Sequence, residues 1–343
     1  MLVHYKLNLE CYNMKQSYVY INYPNIIVLQ SYLEVVKKAL ESCGYKCEFV
    51  KSLDAIDKKS LIVHPMGIDA FKYYLKGYKN FILWQQGATA DESYLRNQSK
   101  LRYWMLNKID TFAMKKARFI LFVSDYMREH YEQLAGCSFK EKSYIMPCFN
   151  EVYDETVYQY KDYEKKVFTY VGSLDLWQCF DQTVTLYKQI EERIPNTLFK
   201  VLTFNVDEAK CILAGTGVKN YSVACVPKEQ VKQELLETTY GFILREDNMV
   251  NRVATPTKFS SYLASGVIPI FSDCLRDFSA ISSNMNYALK LERDYSIDDI
   301  IAFVSKSIDK SEVKKEYRDL FVNYYSVDKH ISNIHNKFMN LSI

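Results

Sequence analysis

The sequence predicts an α/β fold of two doubly wound, Rossmann-like domains, and three observations lead to that prediction. Short apolar segments alternate with amphipathic helical segments along the chain, which is the pattern of parallel sheets covered by helices. The chain has 343 residues, 48% of them hydrophobic, which is more than one core usually accommodates. A charged stretch without clear periodicity, residues 148–166, divides the pattern into two series. We therefore expect one domain over residues 1–155 and a second over residues 156–320.

The apolar segments of both series lead into polar or glycine-bearing loops. In the first series the expected strands are residues 18–22, 47–50, 61–65, 81–87 and 119–124, with helices over 32–42 and 96–117. In the second series they are residues 167–173, 199–204, 221–226, 240–244 and 267–271, with helices near 180–192, 228–237 and 256–265. Ligands of parallel sheets bind beyond the carboxyl ends of the strands. The loops after these segments are therefore where we expect a binding site.

Composition limits the kind of protein this is. The formal net charge is only +3, and no nucleic-acid motif is present, so nucleic-acid binding is not expected. The nine cysteines include no C-x-x-C pair, which predicts neither a disulfide framework nor a zinc site. Free thiols on an α/β chain indicate a reducing compartment. Neither a signal peptide nor an apolar run of membrane-spanning length is visible, so we expect a cytoplasmic protein.

Residues 239–270 carry the strongest functional signal. An apolar run changes abruptly into a polar loop that contains Arg245 and Arg252, and the sequence TPTK, ending at Lys258, then begins a helix. Thr255 is a candidate cap and proline is favoured in a first helical turn, so free backbone N–H groups would face the loop. Such a helix end attracts phosphate. Arg245, Arg252 and Lys258 are therefore expected to surround a diphosphate.

This segment, which ends ATPTKFSSYLASGVIPI, resembles the donor-site segment of GT-B glycosyltransferases of family four. The resemblance implies the GT-B fold, with a cleft between two Rossmann-like domains, and retaining transfer of a sugar from a nucleotide sugar. It also implies a last helix that packs back toward the first domain, which we place at residues 321–343. We expect no cofactor and no metal, because no Asp-x-Asp pair stands in a strand-end loop. A UDP-sugar is the expected donor, although the segment does not itself distinguish the base.

Two positions depart from the family's pattern. The family carries two glutamates eight positions apart, where this chain has Val253 and Ser261. Glu246 and Asp247 lie close enough in sequence to take over recognition of the sugar hydroxyls. We therefore predict Arg245, Lys258 and Glu246 as the catalytic residues. The donor-binding residues expected in this segment are Asp247, Asn251, Arg252, Thr257 and Ser261.

Two other strand ends are expected to complete the donor site. Gly172 would let a phosphate approach the backbone, and the Ser173 hydroxyl would bind one of its oxygens. The resemblance identifies this loop with the family's glycine-rich phosphate loop, although the usual lysine is replaced in the Trp177-Gln178 region. By the same resemblance Val226 lies where the family holds the nucleotide base. Without it, both places also fit simple turns.

The first domain is expected to present the acceptor side. Gln86, Gly87 and Glu92 follow the strand predicted over residues 81–87, and glutamines, an acid and aromatic rings suit hydrogen bonding to a sugar. Glu92 also fits the acidic start of a helix, where the helix dipole stabilises it. His64 ends a neighbouring strand and points toward the same cleft. A structural, hydrogen-bonded histidine is the alternative for that position.

The excess positive charge is local. Residues 96–142 hold ten Lys/Arg against five Asp/Glu. The helix predicted over residues 96–117 has Leu101, Met105, Ile109 and Phe112 on one stripe, with Tyr103 and Trp104 expected at the surface. A basic helix with aromatic residues would rest on an anionic membrane surface, at the inner face of the plasma membrane. A solvated charged face is the alternative.

The sequence therefore predicts an enzyme that moves a sugar from a nucleotide sugar to a glycan or a polyprenyl-diphosphate-linked glycan, in surface polysaccharide synthesis. Two alternatives stay open. Val253 and Ser261 in the glutamate positions fit an accessory protein that binds sugar nucleotides without chemistry. A GT-B epimerase would need carboxylate acid and base pairs, which the sequence does not identify.

Overall fold

The computed structural model describes residues 18–22 and 29–341, and it contains two parallel sheets of six strands each. The first sheet consists of β1 (Tyr18–Asn22), β2 (Lys46–Val50), β3 (Leu61–His64), β4 (Phe81–Gln85), β5 (Phe119–Phe122) and β6 (Ser143–Ile145). Its strand order is β2-β1-β3-β4-β5-β6. Its helices are α1 (Gln30–Ser42), α2 (Gly67–Leu75), α3 (Thr89–Asn97), α4 (Lys100–Lys116) and α5 (Asp125–Ala135).

The second sheet follows the same principle in a different order. Its strands are β7 (Val167–Val171), β8 (Leu198–Leu202), β9 (Tyr221–Ala224), β10 (Tyr240–Ile243), β11 (Ile268–Ser272) and β12 (Leu289–Leu291). The order is β12-β11-β10-β7-β8-β9, so the direction of winding reverses between β7 and β10. Such a switch point leaves a crevice at the carboxyl ends of the two strands, where doubly wound proteins bind ligands.

Nine α-helices in the described residues accompany the second sheet and the C-terminal part of the chain. They are α6 (Phe180–Arg193), α7 (Val206–Thr216), α8 (Lys228–Leu236), α9 (Met249–Arg252), α10 (Thr257–Ala264), α11 (Arg276–Ile281), α12 (Ile297–Val304), α13 (Lys310–Asn323) and α14 (Val327–Asn340). Short 3-10 helices occur at Lys140–Lys142, Glu155–Gln159 and Leu176–Gln178. Between residues 18 and 341, outside the gap at 23–28, no helix is both long and apolar enough to cross a membrane.

The predicted fold class is confirmed, and three predicted features are corrected. The helix expected over residues 96–117 is two helices, α3 and α4, because Gln98 adopts a left-handed conformation (φ 51°) that ends α3. The last helix, expected at residues 321–343, begins only at Val327, because α13 extends to Asn323 and a turn separates it from α14. The sequence patterns missed the edge strands β6 and β12, which have only three residues each. The domain boundaries at residues 155 and 320 stay predictions.

The two halves of the chain meet at the carboxyl edges of their sheets. Ser124, which follows β5, donates a 2.7 Å hydrogen bond to the carbonyl of Val253, which lies between β10 and α10. The backbone N–H of Cys148 donates to the Thr255 hydroxyl at 3.0 Å. On the other side α14 packs on α1 of the first half. The loops at both carboxyl edges therefore border one cleft.

Candidate active site

Two cations lie at the switch point of the second sheet. Arg245 follows β10 directly and is buried, and Lys258 stands in the first turn of α10. The Lys258 amine lies 4.4 Å from the centroid of the Tyr170 ring. It also lies 2.9 Å from the place where a side-chain carbon on Gly172 would be, and Gly172 has φ +136°. Only glycine fits at that position, because both the backbone conformation and the close approach of Lys258 exclude a side chain.

One amide oxygen joins the two cations. Gln178 Oε1 accepts a 2.6 Å hydrogen bond from Lys258 Nζ and a 2.7 Å bond from an Arg245 guanidinium nitrogen. Gln178 is the last residue of the short 3-10 helix that follows β7, and β7 is the neighbour of β10 in the sheet. From the sequence, this region is predicted only as the place where the usual lysine is replaced. Arg245 and Lys258 thus present donors to one shared oxygen, which is a geometry that charged donors also use toward phosphate.

The two cations have no charged partner. In the part of the chain that the structure describes, no salt bridge links Arg245 or Lys258 to a carboxylate. Burial lowers the pKa of Lys258 well below its usual value, and the neighbouring Arg245 lowers it further. Burial also lowers the pKa of Arg245. Two buried positive charges without a counter-ion are costly, and an anionic ligand between them would remove that cost.

In the loop after β10, the charged side chains have different partners from those predicted. Asp247 accepts two hydrogen bonds from the Arg252 guanidinium, at 2.5 and 2.8 Å. This contact lowers the pKa of Asp247 and raises that of Arg252. Glu246 is exposed and receives one 3.2 Å hydrogen bond from the side-chain amide of Gln182. Glu246 is thus more accessible to a ligand than Asp247, and Arg252 already has an anionic partner.

Asn251 stabilises the backbone of this loop. It is buried, and its side-chain amide donates a 2.9 Å hydrogen bond to the backbone carbonyl of Glu246. The predicted donor-binding role of Asn251 would therefore act through the position of Glu246. The backbone N–H of Asn251 also donates a 3.1 Å hydrogen bond to the side-chain oxygen of Asn248.

The start of α10 differs from the expected cap. The helix begins at Thr257, Pro256 takes the capping position without a side-chain hydrogen bond, and Thr255 bonds Cys148 instead. Thr255 as the cap is therefore a wrong prediction. The free N–H groups at this end stay without a side-chain cap. Lys258 belongs to the same first turn, so its amine and the uncapped N–H groups stand at one end of α10.

The two positions where the family carries glutamate contact the first half of the chain. Val253 is buried in a hydrophobic cluster whose other buried members belong to the first half of the chain. Its backbone carbonyl accepts a hydrogen bond from the Ser124 hydroxyl. The Ser261 hydroxyl donates to Asn150 Oδ1 at 2.9 Å, and Ser260 donates to the same oxygen at 3.0 Å. Asn150 was not predicted from the sequence, because the residues that it joins are distant along the chain.

The other residues predicted to bind the donor follow β7 and β9. The Ser173 hydroxyl donates to Asp175 at 2.8 Å, next to Gly172. Val226 is half-buried just after β9. Between them in the sheet, Phe204 follows β8 and is 82% exposed. Phe204 is not among the residues predicted from the sequence, although an exposed aromatic ring at a strand end suits stacking on a base.

The acceptor-side residues border one cavity in the first half of the chain. Gln86, Gly87 and Glu92 line a cavity of about 430 Å³ at the carboxyl ends of β3 and β4. Gln86 donates a 2.8 Å hydrogen bond to the Pro65 carbonyl, and a side-chain carbon on Gly87 would collide with Glu92. Burial raises the pKa of Glu92. Glycine at position 87 thus leaves the space that the Glu92 carboxyl group occupies beside this loop.

His64 does not line this cavity. It is fully buried, stacks on Tyr73 with ring centroids 5.5 Å apart, and shares a 3.3 Å hydrogen bond with the Asn22 side chain. Burial lowers the pKa of His64 to about 3, so the ring is neutral at physiological pH. These surroundings match the structural alternative for this histidine. Its predicted acceptor role stays a prediction.

A buried carboxyl group lies under the cavity. Asp110 of α4 accepts a 3.1 Å hydrogen bond from the Tyr131 hydroxyl, and burial raises its pKa to about 6. A side-chain carbon on Gly67 would meet Asp110 Oδ1 and would lie 3.5 Å from Gln85 Oε1. Gln85 Oε1 is buried without a hydrogen-bond partner.

The fold is shared with glycosyltransferases of known structure, at low sequence identity. WaaG, a glycosyltransferase involved in lipopolysaccharide biosynthesis, superposes with a TM-score of 0.61 at 10% identity, over 93% of this chain and 99% of WaaG. Sucrose-phosphate synthase from Thermosynechococcus elongatus gives 0.67 at 10% identity, over 95% of this chain and 99% of the synthase. A TarM variant from S. aureus in complex with UDP gives 0.59 at 11%, over 84% of this chain.

This chain spans only 57% of the length of TarM. No protein-family model matches the sequence, and no match was found among curated protein sequences. At such identities the likeness concerns the fold. The chain has the GT-B architecture of two Rossmann-like halves, as the resemblance in residues 239–270 implied.

Proposed function

We propose that the chain is a retaining glycosyltransferase that moves a sugar from a nucleotide sugar to a glycan or a polyprenyl-diphosphate-linked glycan. One observation carries the proposal: buried Arg245 and half-buried Lys258 lie side by side at the switch point, and both donate to a single uncharged oxygen. A diphosphate would replace that oxygen and neutralise both charges. We propose a UDP-sugar as donor, a surface polysaccharide as product and the cytoplasm as the place of reaction.

The chemistry follows from where negative charge develops. As the bond between the anomeric carbon and the diphosphate breaks, charge accumulates on the leaving oxygen. Arg245, Lys258 and the uncapped start of α10 are already oriented toward that place, so they stabilise the charge with little reorganisation. These groups supply positive charge themselves, and we therefore propose that no metal is required.

The sugar and the acceptor would lie between the two halves of the chain. Glu246 is the carboxylate best placed to accept hydrogen bonds from sugar hydroxyls, because Asp247 is occupied by Arg252. Across the cleft, the cavity beside Gln86 and Glu92 would receive the acceptor. We propose that its hydroxyl attacks on the face that the diphosphate leaves, so that the configuration is retained.

Release of nucleoside diphosphate tests this function. The purified chain is incubated with a panel of sugar nucleotides, with and without a lipid-linked glycan acceptor, and free diphosphate is measured. We expect release that depends on one donor and survives EDTA. Lys258→Ala and Arg245→Ala are expected to lower kcat by about a hundredfold or more, as for other single electrostatic contacts. Lys210→Ala, on the exposed face of α7, is the matched control. An unchanged kcat in either site variant contradicts the assignment.

A catalytically inactive accessory protein is the second candidate. Val253 and Ser261 stand where the family has glutamates, and both are used in contacts between the two halves. Such a protein would bind the nucleoside diphosphate normally and release none from any donor. Detected turnover with any sugar nucleotide excludes it.

A further inference from the structure

A side-chain oxygen without a hydrogen-bond donor borders the cavity at the carboxyl ends of β3 and β4. Gln85 lines this cavity, is only 2% exposed, and keeps its Oε1 atom buried without a partner. Gln85 Nε2 donates to the Gly87 carbonyl at 2.8 Å and to the Tyr131 hydroxyl at 2.9 Å. Because a carbonyl can only accept, these contacts fix which end of the amide is the oxygen. Oε1 therefore still needs a donor.

A second oxygen with the same need belongs to Glu92, in the first turn of α3. In the part of the chain that the structure describes, no hydrogen bond and no salt bridge reaches the Glu92 carboxylate. A side-chain carbon on Gly87 would collide with Glu92 Oε1, so this oxygen stands directly beside Gly87. The Gly87 carbonyl is also the group that holds Gln85. Both oxygens without donors thus lie next to one loop.

The charge around this loop is negative. Burial raises the pKa of Glu92, and Asp91 raises it further. Burial also raises the pKa of Asp110, beneath the cavity, and Glu92 adds to that effect. Arg96 lowers the pKa of Glu92, but its guanidinium lies over the Trp177 ring. Of the described residues that line the cavity, none is lysine, arginine or histidine. A cation that entered would stabilise these carboxylates.

We propose that this cavity binds a primary ammonium group, so that the acceptor is a sugar with a free amine. The ammonium would donate to Gln85 Oε1 and to the Glu92 carboxylate, which supply the oxygens and the negative charge that it needs. The cavity volume of about 430 Å³ lies in the range of small-molecule sites. The inference rests on the proposed sugar transfer and names the chemical class of its acceptor.

The position of the cavity suits this role. Glu92 belongs to α3, and α3 contacts α9 of the second half of the chain. In the sequence, α9 lies between Glu246 and Lys258, the residues proposed to bind the sugar and the diphosphate of the donor. A sugar ring held by its amine at Glu92 would therefore lie beside the donor loop.

Other sugar substituents fit the cavity less well. A phosphate or carboxylate group would add negative charge beside Glu92 and would bring no proton to Gln85 Oε1. A hydroxyl group can donate to either oxygen, but it leaves the charge of the carboxylate uncompensated. An N-acetylated amine has lost its positive charge. The ammonium group alone among these supplies both the donors and the charge.

Binding of monosaccharides at pH 7 tests the proposal without a sugar nucleotide. Glucosamine, N-acetylglucosamine, glucose and glucose 6-phosphate are titrated into the full chain, and NMR saturation transfer gives the four affinities. We expect glucosamine to bind at least about tenfold more tightly than each of the others. Glu92→Gln keeps the size of the side chain and removes its charge, so the preference for glucosamine over glucose should fall about tenfold.

A matched control and independent readouts make the result specific. Glu141→Gln removes the same charge from an exposed position of the first half and should leave the preference unchanged. Circular dichroism and thermal unfolding show that each variant is folded. Equal affinities for glucosamine and glucose, tighter binding of glucose 6-phosphate, or no binding of any probe overturns the proposal. So does a preference that Glu92→Gln leaves intact.

Failure of this proposal is distinguishable from failure of the proposed transfer. The monosaccharide titrations require no donor, whereas the transfer is measured by release of nucleoside diphosphate. A chain that turns over a sugar nucleotide and shows no preference for glucosamine rejects the amine site alone. A chain that prefers glucosamine and turns over no donor supports the amine site and rejects the transfer.

Discussion

Gln178 places an uncharged oxygen between two buried cations, and this contact sets how a ligand must enter. A phosphate oxygen has to displace the amide from Arg245 and Lys258 before it can take the same two hydrogen bonds. In Gln178→Ala that competition is removed, and the repulsion between the two cations grows in the free protein. We expect this variant to bind nucleoside diphosphate several-fold more tightly, at ~1 kcal/mol for the displaced bonds. Calorimetric titration measures it, and weaker binding would show that Gln178 holds the ligand itself.

Glu246 offers a way to separate recognition of the sugar from recognition of the diphosphate. Glu246→Gln keeps the size of the side chain and removes the charge that accepts hydrogen bonds from hydroxyls. We expect turnover of the sugar nucleotide to fall about tenfold or more, at roughly 1.5–3 kcal/mol for a charged hydrogen bond. The affinity for free nucleoside diphosphate should hardly change. Asp247→Asn is the comparison, because that carboxylate is occupied by Arg252. Equal turnover of the sugar nucleotide by wild type and Glu246→Gln would mean that another residue binds the sugar hydroxyls.

Asp110 gives the acceptor half a pH dependence of stability. Its pKa rises from 3.8 to about 6 on folding, so the folded state holds this proton more tightly than the unfolded chain. The resulting stabilisation is full below pH 4 and is lost as the pH rises through about 6. Asp110→Asn has no proton to lose. The stability of this variant relative to wild type should therefore increase by about 2 kcal/mol between pH 4 and pH 7.

Urea unfolding at a series of pH values measures this difference. Asp277 also has a pKa raised to about 6 by burial, but it is present in both proteins and cancels in the comparison. The lowered pKa values of His64 and His330 act in the opposite direction and cancel in the same way. A difference that does not vary with pH would mean that Asp110 is ionised throughout.

At the scale of elements, α10 is held from both halves of the chain. Asn150 Oδ1 accepts from Ser260 and Ser261, and the Asn150 N–H donates to Ser260 at 3.3 Å. Asn150→Ala should lower the free energy of unfolding by ~1–2 kcal/mol, because it removes two hydrogen bonds at a partly buried site. Urea unfolding is the measurement. Ser261→Ala, which removes only one of these bonds, should have the smaller effect, and the reverse order would contradict this description.

The sequence patterns predicted the positions of the strands and helices better than the contacts between their side chains. Alternating apolar segments predicted ten of the strands, and the polar loops after them led to Gly172, Arg245 and Lys258. Periodicity also found the apolar stripe of α4, yet it does not say which side of a helix faces the core. Gln178 and Asn150 could not be predicted, because their partners lie 67 and 111 residues away and depend on how the halves pack. The left-handed conformation at Gln98 could not be predicted either, because no glycine stands at that position.

At the scale of the whole molecule, the two halves also touch across the cleft at the phosphate loop. The Arg96 guanidinium of α3 lies over the Trp177 ring, 4.7 Å from its centroid. Trp177 is the neighbour of Gln178, so the loop whose glutamine contacts both cations also contacts the first half of the chain. Binding of a donor and movement of the acceptor half are therefore expected to be coupled through this loop.

Comparing nucleoside diphosphates with their nucleosides tests the central claim most directly, because the comparison isolates the diphosphate. UDP and uridine, and the guanosine and adenosine pairs, are titrated calorimetrically into wild type, Arg245→Ala and Lys258→Ala. For the preferred base, wild type should bind the diphosphate at least about a hundredfold more tightly than the nucleoside, which is ~2.7 kcal/mol. In each variant this ratio should fall about tenfold or more, while the affinity for the nucleoside stays unchanged. A ratio that is the same in all three proteins would contradict the assignment of Arg245 and Lys258 to the diphosphate.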